Sequence, residues 1–170
     1  YEEIPNKQRM ARILQLISGV YFFQGDNMSF FKTNNSALKV MEEIGNKKGI
    51  AQSRLNNGEY YLNEGNYAEA IKEYSMAMKI YQQSGDSIYK QNRGRYYVAY
   101  VNARIGKVYE KQADEFLGKG DLKKSKEKFS NALINYLNFL SFTKEGHDKE
   151  DLVLSYTDIG SIYKKQRKFS

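Results

Sequence analysis

Between Leu55 and Ser84 the apolar residues fall at helical spacing twice over. Tyr67, Ala70, Ile71, Tyr74, Ala77 and Met78 recur every three or four positions and draw one apolar face. A preceding segment carrying Gly58 and Tyr61 draws another, and Gly65-Asn66 separates the two. Gly85-Asp86 then predicts the exit of the second helix, because glycine accepts the left-handed conformation that closes a helix. The pattern returns along the chain. Upstream, Gly19, Gly25, Ala37, Leu38, Val40 and Gly45-Asn46 match Gly58, Gly65, Ala77, Met78, Ile80 and Gly85-Asp86. Downstream it is carried by Gly106, Tyr109, Gly120, Leu122, Phe129, Ala132, Leu133 and Tyr136. A fourth copy begins with Leu154, Tyr156, Ile159, Gly160 and Tyr163, and reaches Phe169. The pattern predicts helices over 6–24, 27–44, 47–64, 67–84, 87–117, 122–144 and 149–167. Asp26, Asn66, Asp86, Asp121 and Asp148 fall at or near helix starts, where a short polar side chain caps free N–H groups. Residues 1–5, with the single proline, Pro5, read as a linker or loose end.

Glycine inside a helix costs about 1 kcal/mol relative to alanine, so its return at 58, 106 and 160 calls for a reason. A paired helix approaching closely supplies one. Ala70, Ala77 and Ala132 are small for the same reason, and Tyr61, Tyr74, Tyr109, Phe129 and Tyr163 are the large residues that fill the spaces between pairs. Gly58, Tyr61, Gly65, Tyr67, Ala70, Tyr74 and Ala77 resemble the tetratricopeptide repeat, a helix–turn–helix unit with small and large residues at fixed places. The resemblance implies an all-α, right-handed α-solenoid of antiparallel helix pairs with about seven helices. It spans 1–170 as one domain, with repeats near 6–45, 46–86, 87–146 and an incomplete 147–170. Three departures stand out. No tryptophan is present, Asn57 stands where leucine is usual, and no proline closes a unit. The first-helix glycines step by 39, 48 and 54 residues, against about 34 for the plain unit. The wider steps place insertions after Asp86, between Tyr109 and Gly120, and before Gly146, and they predict a third unit lengthened by whole helical turns.

Composition narrows the chemistry. Cysteine is absent, which removes disulfides and zinc-thiolate sites and leaves the compartment open, cytoplasmic or a periplasmic sensor segment. No run of about 18 apolar residues exists; the most apolar stretch, Ile13 to Phe23, is broken by Gln15, Ser18 and Gly19, so no membrane contact is expected. The one histidine, His147, sits in a glycine-containing loop, and no phosphate-loop, zinc-protease or serine-hydrolase motif occurs. Gly118-Lys119-Gly120-Asp121 looks like a phosphate loop only on its surface, since it falls where the repeat needs a turn. Neither an enzyme activity nor a cofactor or metal is expected. The net charge of +7 reflects lysine-rich helix faces, and without a repeated pair of readout residues nucleic acid is an unfavoured partner.

The expected role is therefore recognition of a protein or peptide. In the family the groove is lined by first-helix residues. The resemblance carries this to Gln52, Leu55, Glu59 and Asn63, to Tyr100, Ala103, Lys107 and Lys111, and to Thr157, Ser161 and Lys164. Leu55 and Glu59 stand where co-chaperone members hold a lysine–asparagine carboxylate clamp, so that clamp is absent. The segment from Gly45 to Ala51 with Asn56-Asn57-Gly58 is similar to long-helix versions in bacterial histidine kinases and transcription regulators. This implies a sensor or regulatory segment of a longer chain. The alternative is a structural or self-assembly module. Apolar residues at 159, 162, 163 and 169 would then make a homodimer through the last helix.

Overall fold

The computed structural model describes residues 3–88, 93–146 and 149–167. They form seven α-helices and no strand: α1 (Glu3–Gln24), α2 (Asn27–Glu43), α3 (Lys47–Asn63), α4 (Tyr67–Ile88), α5 (Arg93–Gly118), α6 (Leu122–Gly146) and α7 (Lys149–Gln166). The chain divides into two compact units, Tyr1–Gln91 and Asn92–Ser170. Within the first, α1 packs on α2, α2 on α3 and α3 on α4; within the second, α5 packs on α6 and α6 on α7. No helix among the described residues is long and apolar enough to cross a membrane.

The turns share one construction. Gly25, Gly45, Gly65 and Gly120 have φ between 66° and 75°, the left-handed region open to glycine. In each, the next residue donates its N–H back to the carbonyl five residues earlier: Asp26 to Tyr21, Asn46 to Met41, Asn66 to Tyr61 and Asp121 to Phe116, at 2.8–3.0 Å. The same residue then caps the following helix. Oδ1 of Asp26, Asn46, Asn66 and Asp121 accepts from the N–H of Ser29, Gly49, Glu69 and Lys124. A Gly-Asx pair thus ends one helix and starts the next with no spare residue. Gly118-Lys119-Gly120-Asp121 is such a turn.

Two expected boundaries move. Gly85-Asp86 does not end a helix, because α4 runs through both to Ile88. The apolar period of Tyr81, Gly85 and Ile88 is still helical there, and one interior glycine costs too little to break it. Glu3, Ile4 and Pro5 belong to α1 rather than to a linker. Proline is harmless in a first turn, whose N–H groups have no intrahelical acceptor. The expected cap Asp148, His147 and Phe169 lie outside the described residues.

Small residues and rings mesh where the helices approach. A Cβ on Gly58 would lie 2.6 Å from Cδ1 of Tyr74 and 2.8 Å from its Cζ. A Cβ on Gly106 would lie 3.0 Å from the ring of Tyr136, although Phe129 is the residue at the position of Tyr74, nine after the turn glycine. The reason is length. Gly58 stands seven residues before its turn glycine and Gly106 stands fourteen before Gly120. α5 has gained two turns, so the ring that meets Gly106 comes two turns further along α6. Ala113 takes the ordinary position, in one buried cluster with Phe129 and Tyr136. The lengthening of the third unit by whole turns is present: α5 has 26 residues and α6 has 25, against 17 in α3 and 22 in α4.

Gly19 and Gly160 do not share this role. A Cβ on either would meet nothing within 4 Å. Seven residues before Gly25 stands Ser18, fully buried, its Oγ donating to the Gln15 carbonyl at 2.9 Å. Of the expected interior rings, Tyr74 and Phe129 are fully buried, Tyr61 and Tyr109 are half-buried, and Tyr163 is exposed. α1 presents a second apolar stripe outward at Met10, Ile13, Leu16, Ile17, Val20 and Phe23, the last two-thirds to nine-tenths exposed at Leu16 (66%) and Phe23 (89%).

Candidate functional site

α1 and α3 both pack on α2, and a cleft of about 520 Å³ is lined by residues of α1 and α3. On α1 it is lined by Pro5, Gln8, Arg9, Arg12 and Gln15, positions three and four apart that share one stripe. On α3 it is lined by the cap Asn46 with Lys48, Gly49 and Gln52, and Met41 of α2 joins them. Local packing makes the cleft. Gly49 is buried beneath the Met41 side chain; a Cβ there would lie 2.8 Å from Cγ and 2.9 Å from Cε. The first turn of α3 therefore sinks against α2, while the side chains of Lys48 and Gln52 stay exposed. Arg9 and Arg12 are exposed opposite, and among the described residues the lining holds three cations and three glutamines. The free N–H groups of the α3 first turn add partial positive charge, and its cap is the neutral Asn46.

Gln52 lines this cleft, and its Nε2 donates to Asn56 Oδ1 at 3.3 Å. The other expected groove residues of the first unit stand elsewhere. Leu55 is buried in the core, which takes it out of any groove. Glu59 is half-buried and accepts from the Tyr74 hydroxyl at 2.7 Å. Asn63 is exposed at the end of α3. Gln8, Arg9, Arg12 and Gln15 are not marked by the sequence, because polar residues on a helix surface follow no apolar period.

Amides hold α3 to its neighbours. Asn34 of α2 is fully buried and donates to the Ser53 carbonyl at 2.8 Å and to Asn57 Oδ1 at 2.7 Å. Asn57 donates to Asn35 Oδ1 at 2.9 Å, and Asn56 donates to Asn34 Oδ1 at 3.0 Å. Gln15 of α1 donates to Ser53 Oγ at 3.3 Å. Asn57 can replace the usual leucine because Asn34, nine residues after its turn glycine where Tyr74 stands in the next unit, is also an asparagine. Arg54 adds an ionic tie, reaching Glu42 of α2 at 2.9 Å and Glu73 of α4 at 3.2 Å.

The second unit centres on a carboxylate that the sequence did not single out. Glu110 of α5 is almost fully buried. It accepts from Lys107 at 2.8 Å and from the Tyr136 hydroxyl of α6 at 2.9 Å, both on Oε2. On Oε1 it accepts from Lys165 at 2.7 Å and Ser161 at 3.3 Å, both on α7; Lys165 also reaches Asp114 at 2.7 Å. Burial opposes ionisation of Glu110, but the hydrogen bonds from the two lysines and the tyrosine outweigh it and hold the carboxyl at about 2. Burial and the Glu110 charge push the Tyr136 hydroxyl far up, so it stays a donor. Asp158, half-buried near Lys107, Glu110 and Arg104, is raised by burial. Four residues after its glycine, Glu110 takes the place of the buried Leu62. A charged residue at an apolar phase was the available signal.

Two expected groove residues, Lys107 and Ser161, are thus drawn into this network. Ala103 is buried in the core, and Tyr100 packs against that core and stacks on Tyr96 with centroids 6.2 Å apart. Lys111 and Lys164 are exposed. Thr157 is exposed and donates to the Val153 carbonyl at 2.8 Å. On α7, Ile159 and Ile162 are buried, so the apolar face expected to drive dimerisation is closed at both; Tyr163 is exposed. No protein-family model matches the chain, and no curated protein matches it.

Proposed function

We propose that the chain is a non-catalytic recognition domain of the tetratricopeptide type, which holds a protein or peptide segment against its first helices. The observation that carries this is the α1–α3 cleft, lined by two first helices of successive units and including Gln52. Glycine beneath tyrosine at 58 and 74, and again at 106 and 136, supports antiparallel pairs, and the Gly-Asx turns support their stacking into a right-handed α-solenoid. A sensor or regulatory segment of a longer bacterial signalling chain is the context this reading favours. Panning a random dodecapeptide display library against the chain tests it. Peptides should be enriched, and Gln52→Trp, which fills the cleft from an exposed position, should abolish their capture. A library that yields none sinks the reading.

Self-assembly has one observation in its favour, the outward apolar stripe of α1. Sedimentation across a hundredfold concentration range separates the two readings: a monomer throughout leaves recognition alone.

A further inference from the structure

Resting on the self-assembly reading, we propose that two copies of this chain pair through their α1 helices, antiparallel, about a two-fold axis near Leu16. Met10, Ile13, Ile17 and Val20 are spaced by three, four and three residues, the interval at which one helix lays a continuous seam along another. These four residues are 41–55% exposed, on the side of α1 away from the fully buried Ala11 and Ser18. Leu16 and Phe23 run beside the seam and are more exposed still. The six residues leave on the order of 600–700 Å² open per copy, against about 800 Å² per partner in a standard interface. Arg9, seven residues before Leu16 and so in line with it, adds its aliphatic stem to the strip.

The seam fits a reversed copy of itself. Run antiparallel, Met10 meets Val20 of the second copy and Ile13 meets Ile17 of the second copy, and the two-fold axis repeats both contacts. Leu16 then lies beside Leu16 of the second copy. Arg9 and Phe23 stand seven residues from Leu16 in opposite directions, so Arg9 meets Phe23 of the second copy, a guanidinium against a ring. Charge sets the direction. Arg9 and Arg12 sit in the first half of α1, and a parallel pair would bring them level with their own copies. Antiparallel pairing parts Arg9 from its copy by about 18 Å at 1.5 Å per residue. It also sets Arg9 by the last turn of the other helix, whose carbonyl groups carry partial negative charge. Such a pairing closes on itself, so assembly stops at the dimer.

Sedimentation equilibrium of the whole chain over a hundredfold concentration range should show monomer and dimer alone. Leu16→Glu sets two like charges at the axis and should weaken the dimer at least about a hundredfold. It should leave the thermal melt of the monomer unchanged, since the side chain is exposed. Ile134→Glu with Leu137→Glu, on exposed apolar positions of α6, should leave the dimer intact. The chain has no cysteine, so an introduced thiol is unique. Under mild oxidation with copper phenanthroline, Met10→Cys mixed with Val20→Cys should give the mixed disulfide dimer. Met10→Cys alone should give little, because the two copies of residue 10 stand about 15 Å apart along the axis and a disulfide needs Cα atoms within about 7 Å. Four results overturn the proposal. A monomer throughout ends the self-assembly reading and the pairing with it. A dimer that survives Leu16→Glu, or that is lost equally in the α6 variant, keeps self-assembly and ends the α1 pairing. Ready disulfide formation by Met10→Cys alone overturns the antiparallel direction. A monomeric chain whose display-library peptides are lost in Leu16→Glu and kept in Gln52→Trp makes the stripe a peptide-docking face instead.

Discussion

At the scale of the residue, one amino acid type has opposite roles in different helices. Gly58 has the Tyr74 ring where a Cβ would go, whereas Gly160 faces open space. Gly58→Ala should therefore destabilise the fold by about 1–2 kcal/mol, because overpacking exceeds the gain in helix propensity. Gly160→Ala should stabilise by about 0.5–1 kcal/mol. Urea titrations of the two variants check both signs. Asn57 is a second case. Asn57→Leu restores the usual repeat residue but leaves one N–H of the buried Asn34 amide without its acceptor, at a cost of about 1–3 kcal/mol. Asn34→Leu with Asn57→Leu should recover part of that loss, and a double-mutant cycle measures the coupling. Sequence alone marked Asn57 as a departure. It could not show the partner, Asn34, which lies on another helix and meets Asn57 only in the fold.

At the scale of the element, helices were legible and their ends nearly so. Gly-Asx pairs at 25, 45, 65 and 120 stop one helix and cap the next, and the fifth pair, Gly85-Asp86, lies inside α4. The dipeptide is therefore not sufficient. The apolar period must also break at it. Glu110 shows what one element asks of others, since α5, α6 and α7 all place a donor on it. Its folded pKa of about 2 lies below the ordinary 4.5, so its stabilisation is complete above about pH 5 and is lost as pH falls towards 2. The full contribution is about 3 kcal/mol. Asp158, raised by burial, works in the opposite direction and narrows the net change. Glu110→Gln isolates the effect. It should lower the melting temperature clearly at pH 7 and by much less near pH 3, and melts at the two values decide it.

At the scale of the molecule, the sequence made an all-helical chain evident from spacing alone, and the cleft was half visible through Gln52. Its α1 wall was hidden because exposed Arg9 and Arg12 carry no periodic signature, and Glu110 was hidden because a buried charge looks like a surface one in a list of residues. The matched seven-residue shift of the glycine and ring from the turn, from Gly58 and Tyr74 to Gly106 and Tyr136, bears on how such a hairpin tolerates a change of length. The extra turns hold Lys107, Glu110 and Tyr136, so these three members of the charge cluster sit wholly within the added length. A seven-residue loss in one helix leaves its partner overhanging by two turns, about 10 Å at 1.5 Å per residue. A matched loss from both, residues 107–113 with 130–136, sets Gly106 against Phe129 and keeps the turn whole. The matched deletion should yield a cooperatively melting protein and either single deletion a markedly weaker one, as circular dichroism would record. The hairpin is then a unit whose two arms can change length only together, like the two sides of a ladder.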